Sequence, residues 1–199
     1  MAIDYIEVRS AETREIIGIV DGAQSVIWHN VYYGTGDFEI YASANANNAE
    51  LLQVGNYVTK PCADAQDAIW NNEPAIIERI EVTNTVTDGR MILASGRLAK
   101  SILDRRHIYQ LDGHTNTPTI LKNGVETAVR GVVYANIINC DFDASRNIDF
   151  IDLGTFKGYS ETIVDEYGHA AQKQVSFQNL LTYISSVLEE YGMSCQILL

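Results

Sequence analysis

The chain has 199 residues, of which 46% are hydrophobic and 20% charged, the composition of an ordinary folded protein. It contains no run of about 18 apolar residues, which argues against a membrane span, and its start, MAIDYIEVRS, predicts no secretory signal. The net charge of −12 argues against a reader of nucleic acids, because phosphate binding needs a basic surface.

The first twenty residues predict two short strands. Ile6 and Val8 alternate with polar residues, and a period of two sends successive side chains to opposite faces of a sheet. A second strand is predicted over residues 16–20, and the turn-forming pair Asp21-Gly22 ends it.

Residues 26–41, VIWHNVYYGTGDFEIY, predict a β-hairpin around which the rest of the chain is organised. We expect Gly34 and Gly36 to lie at the reversal, where glycine tolerates a positive φ. Alternation brings four large side chains onto one face: Val26, Trp28, Phe38 and Ile40. Cross-strand pairs of this kind contribute about 0.2–1 kcal/mol each.

After the hairpin, Asn47 or Asn48 is predicted to cap a short helix, since an asparagine oxygen accepts a free backbone N–H there. Residues 57–59 read as a strand. Residues 61–73 are polar and lack a period, which predicts a loop.

A second hairpin is predicted between residues 75–83 and 91–94, joined at Asp88-Gly89 by a type I′ turn with two positive φ angles. Ser95 is then predicted to cap a short helix. Three apolar residues of that helix are expected to face inward: Leu98, Ile102 and Leu103. The first hundred residues therefore predict a curled antiparallel sheet or barrel with brief helices.

The second half begins with a Gly/Thr/Asn/Pro-rich stretch, residues 111–124, which predicts a linking loop. Strands are predicted at residues 148–151 and 162–164. Before these strands, directly after the loop, a helix is predicted from the spacing of its apolar residues: Val125, Val129, Val132, Val133 and Ile137.

The strongest periodicity predicts a helix over residues 176–191, capped by Ser176 and ended by Gly192. Its apolar residues recur at helical spacing: Phe177, Leu180, Leu181, Ile184, Val187, Leu188 and Tyr191. A strand over residues 193–199 is predicted to follow.

Several of these segments occur in an order found in a known family. They are WHNVYY at 28–33, GDFEI at 36–40, LLQVGN at 51–56, IERI at 77–80, ASGRL at 94–98, LDRR at 103–106 and the helix at 176–191. Together they resemble the N-terminal domains of the tail-associated lysin of siphophage tail hubs, and more remotely the baseplate hub of contractile-tailed phages. Members of that family usually continue further, so we expect a truncated or short form.

The resemblance implies an α+β fold with two domains. Residues 1–106 would form an antiparallel β-barrel-like hub domain with short helices, and residues 107–199 a smaller α/β domain with two amphipathic helices. It also implies a structural virion protein, made in the host cytoplasm, that assembles as a ring of three copies. The ring would join the tail-tube or distal tail protein to the tail tip, and DNA would pass through it without specific binding.

Six residues of the first hairpin are the candidate interface and structural residues: Trp28, Tyr32, Tyr33, Phe38, Ile40 and Tyr41. Tyrosine suits a protein–protein contact because it contributes a large area at modest entropic cost. The alternative is that these tyrosines cover the core of the barrel. His29 alternates with Trp28, which predicts an exposed or interface histidine.

No catalytic residue, cofactor or membrane partner is predicted, since the chain lacks the G-x-S-x-G, P-loop, G-x-G-x-x-G and H-E-x-x-H motifs. Three widely spaced cysteines argue against a zinc ribbon or a disulfide scaffold.

One segment has the spacing of a calcium loop: Asp141, Asp143, Ser145, Asn147, Asp149 and Asp152. Its sixth position is Arg146 where such loops have glycine. The alternative function is thus a small hydrolase or a calcium-dependent carbohydrate-binding module of a prophage.

Overall fold

The computed structural model describes residues 5–60, 73–109, 119–121, 124–140, 143–159, 166–169, 173–175 and 177–198. It forms two compact units, Met1–Ser101 with Cys195–Leu199, and Ile102–Ser194. The division into a hub domain of residues 1–106 and a second domain of residues 107–199 stays a prediction. Among the described helices, none combines the length and the apolar character needed to cross a membrane.

The first unit is built on one antiparallel sheet of seven strands. They are β1 (Glu7–Arg9), β2 (Ile16–Ile19), β3 (Ala23–His29), β4 (Asp37–Ser43), β5 (Tyr57–Thr59), β6 (Ala75–Thr85) and β7 (Gly89–Leu98). Their order across the sheet is β2-β1-β5-β6-β7-β4-β3. Helix α1 (Ala46–Leu51) follows β4. Helix α2 (Ser101–Asp104) follows β7, and all but its first residue belong to the second unit.

Alternate side chains of the sheet point to one face and form the core of this unit. Its most deeply buried members include Val8, Phe38, Ile40, Ala42, Val58, Ile77, Ala94 and Leu98. Leu51 and Leu52, at the end of α1, belong to the same core. The period of two in the sequence therefore has the consequence expected of it, a buried apolar face, on most strands of the sheet.

Of the two predicted forms, a curled antiparallel sheet or a barrel, the barrel is wrong, because the sheet curls strongly but stays open. Laid flat, seven strands would separate the edge strands β2 and β3 by about 29 Å. Only residues 20–22 connect them, and this connection spans at most about 14 Å. The two edges do not pair with each other in the described part of the chain. Leu51 of α1 lies against Gly18 of β2, so α1 rather than a further strand covers the inner face of β2.

In the hairpin of β3 and β4 the four large side chains share a face, as predicted, and the register places Trp28 opposite Phe38 and Val26 opposite Ile40. Its connection is wider than predicted, because β3 ends at His29 and residues 30–36 form a loop. The prediction of positive φ in that loop is also wrong, since neither of its glycines adopts one.

A different constraint requires glycine at position 36. A Cβ atom there would lie 2.0 Å from the His29 carbonyl oxygen and 2.7 Å from Leu98 Cδ1. Glycine is the residue that permits such a close approach of two backbone segments.

The cap predicted for α1 is wrong by two or three positions. The Asn45 side chain accepts a hydrogen bond of 2.7 Å from the Asn48 N–H. The Asn48 side chain is buried and binds residues outside the helix instead. Asn47 is exposed and bonds to Asp21 and Ile19.

The helix predicted to start at Ser95 begins six residues later. Ser95 pairs with Glu39 on one side and Arg79 on the other, so strand β7 continues to Leu98. Pairing on both sides outweighs the local capping preference of serine. The predicted type I′ turn between β6 and β7 is also wrong, because Gly89, the first residue of β7, has a positive φ of 73° and Asp88 does not.

The second unit contains two longer helices and a small sheet. Helix α3 (Val125–Val133) continues as a π-helical turn (Tyr134–Ile138), and a 3₁₀ turn (Ala144–Arg146) follows. Strands β8 (Thr119–Leu121) and β9 (Lys173–Val175) pair antiparallel, and helix α4 (Leu180–Glu189) comes last. Most residues of the predicted helical faces are buried: Val125, Val129, Val132 and Ile137, then Leu180, Leu181, Ile184, Val187 and Leu188. Val133 and Tyr191 are half-buried. The prediction for Phe177 is wrong, because this residue has a positive φ of 56°, lies before the helix and is 61% exposed.

Five predictions in this half are corrected or lie beyond the described residues. Within the predicted linking loop of residues 111–124, Thr119–Leu121 form strand β8 by pairing with β9, and residues 111–118 and 122–123 lie outside the described ranges. Residues 148–151 form no strand, because the chain there turns after the 3₁₀ segment, and residues 193–198 form none either. Helix α4 is capped by Asn179, whose side chain accepts from the Thr182 N–H, whereas Ser176 and residues 162–164 lie outside the described ranges. Gly192 has a positive φ of 65° beyond the helix, as predicted.

Candidate interface at the edges and outer face of the sheet

Three of the candidate residues stabilise the hairpin from inside. Phe38 and Ile40 are almost completely buried, and Trp28 packs against the same core. The rings of Trp28 and Phe38 lie 5.5 Å apart at 37°, within the range of favourable aromatic pairs. Among the described residues, Trp28 Nε1 is buried and has no hydrogen-bond partner.

The loop of residues 30–36, here called the aromatic loop, presents Tyr32 and Tyr33. Their rings lie 4.7 Å apart in an edge-to-face arrangement. Tyr32 is 42% exposed and Tyr33 is half-buried. The third tyrosine, Tyr41, lies on β4 and points to the outer face of the sheet, opposite Ser25 and Leu93.

A buried lysine fixes the first part of this loop. Lys100 is 3% exposed, and its Nζ donates to the carbonyl oxygens of Val31 at 2.9 Å and Tyr32 at 3.2 Å. The Lys100 backbone N–H donates to Glu73 Oε1 at 2.8 Å. Burial raises the pKa of the Glu73 carboxyl, while this hydrogen bond and the Lys100 charge oppose the rise.

Sequence reasoning missed both Lys100 and Glu73. No local pattern marks a lysine or a glutamate as buried, because their burial results from strands that are distant in the sequence. The only signal was indirect, since each residue adjoins an apolar strand.

The outer face carries a row of ionisable side chains across four strands. His29 Nδ1 on β3 lies 3.5 Å from Asp37 Oδ2 on β4. Asp37 is the register partner of Arg97 on β7, whose guanidinium binds both carboxylate oxygens of Glu78 at 3.0 Å. His29 is therefore exposed, on the face opposite Trp28, as predicted.

Both edges of the sheet expose isoleucine side chains. On β2 these are Ile16, Ile17 and Ile19, which are 46–52% exposed. On β3 the exposed isoleucine is Ile27, at 53%. In the described part of the chain neither strand has a neighbour on its outer side. Such edges present unpaired backbone donors and acceptors to another chain.

The segment with calcium-loop spacing uses several of its oxygens locally. Asp143 Oδ1 accepts from the Ser145 hydroxyl at 2.6 Å, a bond that lowers the pKa of Asp143. Asn147 Oδ1 accepts from the Cys140 N–H at 2.7 Å. Asp141 lies outside the described residues, and no three metal-binding side chains converge among those described. The calcium site stays a prediction.

One solved structure is similar to this chain over much of its length. It is the E. coli c3393 protein, described as a component of the type VI secretion system with structural similarity to T4 bacteriophage tail proteins gp27 and gp5. The likeness covers 86% of this chain at 12% identity with a TM-score of 0.41. This chain spans 42% of the length of that protein. No curated protein matches the sequence.

A family model matches nearly the whole sequence. It is the model of the siphovirus ReqiPepy6 Gp37-like proteins, and the match runs over residues 5–199. The resemblance to siphophage proteins is thereby confirmed. The chain belongs to the family of siphovirus ReqiPepy6 Gp37-like proteins.

Proposed function

We propose that this protein is a structural component of a phage tail hub that assembles as a ring of three copies. The ring joins the tail-tube or distal tail protein on one side to tail-tip proteins on the other. Its place is the virion tail, and its role is geometric rather than catalytic. Membership of a siphovirus family supports a virion protein.

The observation that carries the proposal is the pair of open sheet edges. The outer side of β2 and the outer side of β3 both offer backbone groups for pairing, and each exposes isoleucine. Because the two edges belong to different strands, pairing β2 of one copy with β3 of the next is a head-to-tail contact. Contacts of that type generate closed rings when the rotation between copies closes.

The negative charge supports passage of DNA through such a ring. With a net charge of −12 the chain repels phosphates on average, so DNA slides through without being held. We expect no DNA binding at physiological salt, which an electrophoretic mobility assay measures.

The test is the mass of the protein in solution, by light scattering over a range of concentrations, with negative-stain images. We expect a particle of three times the 22.1 kDa of one chain, with an axial hole. Ile27→Lys and Ile17→Lys should each release monomers, because an exposed lysine on an edge strand opposes strand pairing.

Val86→Lys is the matched control. Val86 is fully exposed in the turn between β6 and β7, away from β2 and β3, so its substitution should leave the ring intact. A wild-type chain that stays monomeric at every concentration, or a ring unaffected by both edge lysines, would falsify the proposal.

A further inference from the structure

Lys100 and Glu73 lie where the pairing of β6 and β7 continues beyond the strands. Ala75 pairs with Leu98 at the base of the hairpin, and the Ala99 N–H donates to the Pro74 carbonyl at 2.7 Å. The next contact outward is the bond from the Lys100 N–H to the Glu73 carboxylate. Both side chains are nearly as buried as the core.

An ammonium group in such a place is unfavourable unless polar atoms replace its water. The atoms that do so are the carbonyl oxygens of Val31 and Tyr32. Neither carbonyl belongs to a strand, and both lie in the aromatic loop. The loop therefore accepts the hydrogen bonds of the buried Lys100 ammonium, and the nearby Glu73 carboxyl interacts with its charge.

The same stretch of chain holds the other end of the aromatic loop. The Leu98 N–H donates to the Gly36 carbonyl at 2.9 Å, and Gly36 packs so closely that no Cβ would fit. Residues 98–100 thus bind the loop at both ends. Between these ends the tyrosine pair is displayed, with Tyr32 partly exposed.

We infer that Lys100 is a positioning residue, whose buried ammonium holds the aromatic loop in one conformation and presents the Tyr32–Tyr33 pair to a neighbouring copy of this chain. This inference rests on the proposed function. The neighbouring copy is the occupant because the loop directly continues β3, one of the two open edges. A loop that is already ordered loses less entropy on binding, which strengthens the contact without adding any new atom to it.

The experiment measures hydrogen exchange in the whole chain at a concentration where it is monomeric. In Lys100→Met the apolar stem remains and the donors are lost. We expect amides of residues 32–36 to exchange at least about tenfold faster, while amides of β4 and β7 keep their protection. Lys100→Arg, which retains charge and donors, should restore most of the protection of the loop.

Two results would overturn the inference. One is an unchanged exchange rate in the loop of Lys100→Met, and the other is an equal acceleration throughout the sheet, which would indicate a merely structural lysine. If Lys100→Met does not fold, NMR of the Lys100 ammonium in the wild-type protein tests the inference instead. Slow proton exchange at Lys100 Nζ supports the inference, and exchange as fast as at exposed lysines contradicts it.

These outcomes are separate from those of the proposed ring. The exchange measurements are made on the monomer, so they report on Lys100 whether or not a ring forms. Failure of the ring appears instead as a wild-type chain that stays monomeric at every concentration.

Discussion

The side chain of Asn48 makes two hydrogen bonds with the backbone of Asp21. Asn48 Oδ1 accepts from the Asp21 N–H at 2.9 Å, and Asn48 Nδ2 donates to the Asp21 carbonyl at 2.8 Å. The same Nδ2 also donates to the carbonyl of Ser43, at the end of β4. A single buried amide thus ties helix α1 to the corner between β2 and β3 and to a third strand.

Replacing Asn48 with alanine should therefore weaken the first unit considerably. The change removes the side-chain partner of three backbone groups, the N–H and carbonyl of Asp21 and the carbonyl of Ser43, in hydrogen bonds that are partly buried. Losing such a partner costs about 1–3 kcal/mol where water cannot replace it. We expect a loss of about 2–4 kcal/mol in the free energy of unfolding, measured by urea titration. Asn47→Ala is the control, because Asn47 is exposed and its bonds to Asp21 and Ile19 compete with water. Equal effects of the two substitutions would contradict this account.

Replacing glycine with alanine should have opposite effects on stability at two positions. Gly36→Ala forces a methyl group to within 2.0 Å of the His29 carbonyl oxygen, and we expect a loss of about 1–3 kcal/mol or more. Gly131 lies inside helix α3 with no atom within 4 Å of an added Cβ. Gly131→Ala should raise stability by about 0.5–1 kcal/mol, because alanine is the better helix former. Thermal melts of the two variants check both signs.

The parts of the fold that could be predicted are those set by side-chain periodicity. The shared face of Trp28 and Phe38 and the buried faces of α3 and α4 follow from periods of 2 and 3.6. Caps and turns were predicted less well because non-local partners decide them. Ser95 is a good cap in isolation, yet strands on both sides keep it in β7.

The candidate interface residues could likewise be predicted only in part from the sequence. Alternation placed Phe38 and Ile40 in the core and His29 outside. Nothing local indicated that Lys100 is buried or that it binds the aromatic loop, because that contact joins residues 68 and 69 positions apart. Long-range contacts of this kind become visible only when the strands are assembled.

Glu126 should make the stability of the second unit depend on pH. Partial desolvation raises the pKa of its carboxyl, but the backbone N–H groups of residues 157–159 and the Arg130 charge outweigh this, and the pKa is lowered. A lowered pKa stabilises the folded state above the ordinary value near 4.5, and this contribution is lost as the pH falls through the folded-state pKa.

Glu126→Gln should accordingly lower stability at pH 7 and change it little at a pH below the folded-state pKa. Urea midpoints of the variant and the wild type, compared at pH 7 and in steps below pH 4.5, measure the difference. The gap between them should narrow on acidification. A gap that stays constant would mean that the carboxylate charge does not hold residues 157–159.

The aromatic pair of the hairpin should show a direct coupling in a double-mutant cycle. Phe38→Ala removes an almost fully buried ring, and such truncations cost about 3–5 kcal/mol. Trp28→Ala should cost less, because Trp28 is only partly buried. Since the rings are 5.5 Å apart, the two losses of stability should fail to add by about 0.5–1.5 kcal/mol.

The control is a second cycle, in which Phe38 and the distant, exposed Val86 are each changed to alanine. The losses of stability in that cycle should be additive. Additive losses for the aromatic pair would show that each ring stabilises the core separately and that the pair does not set the register of the hairpin.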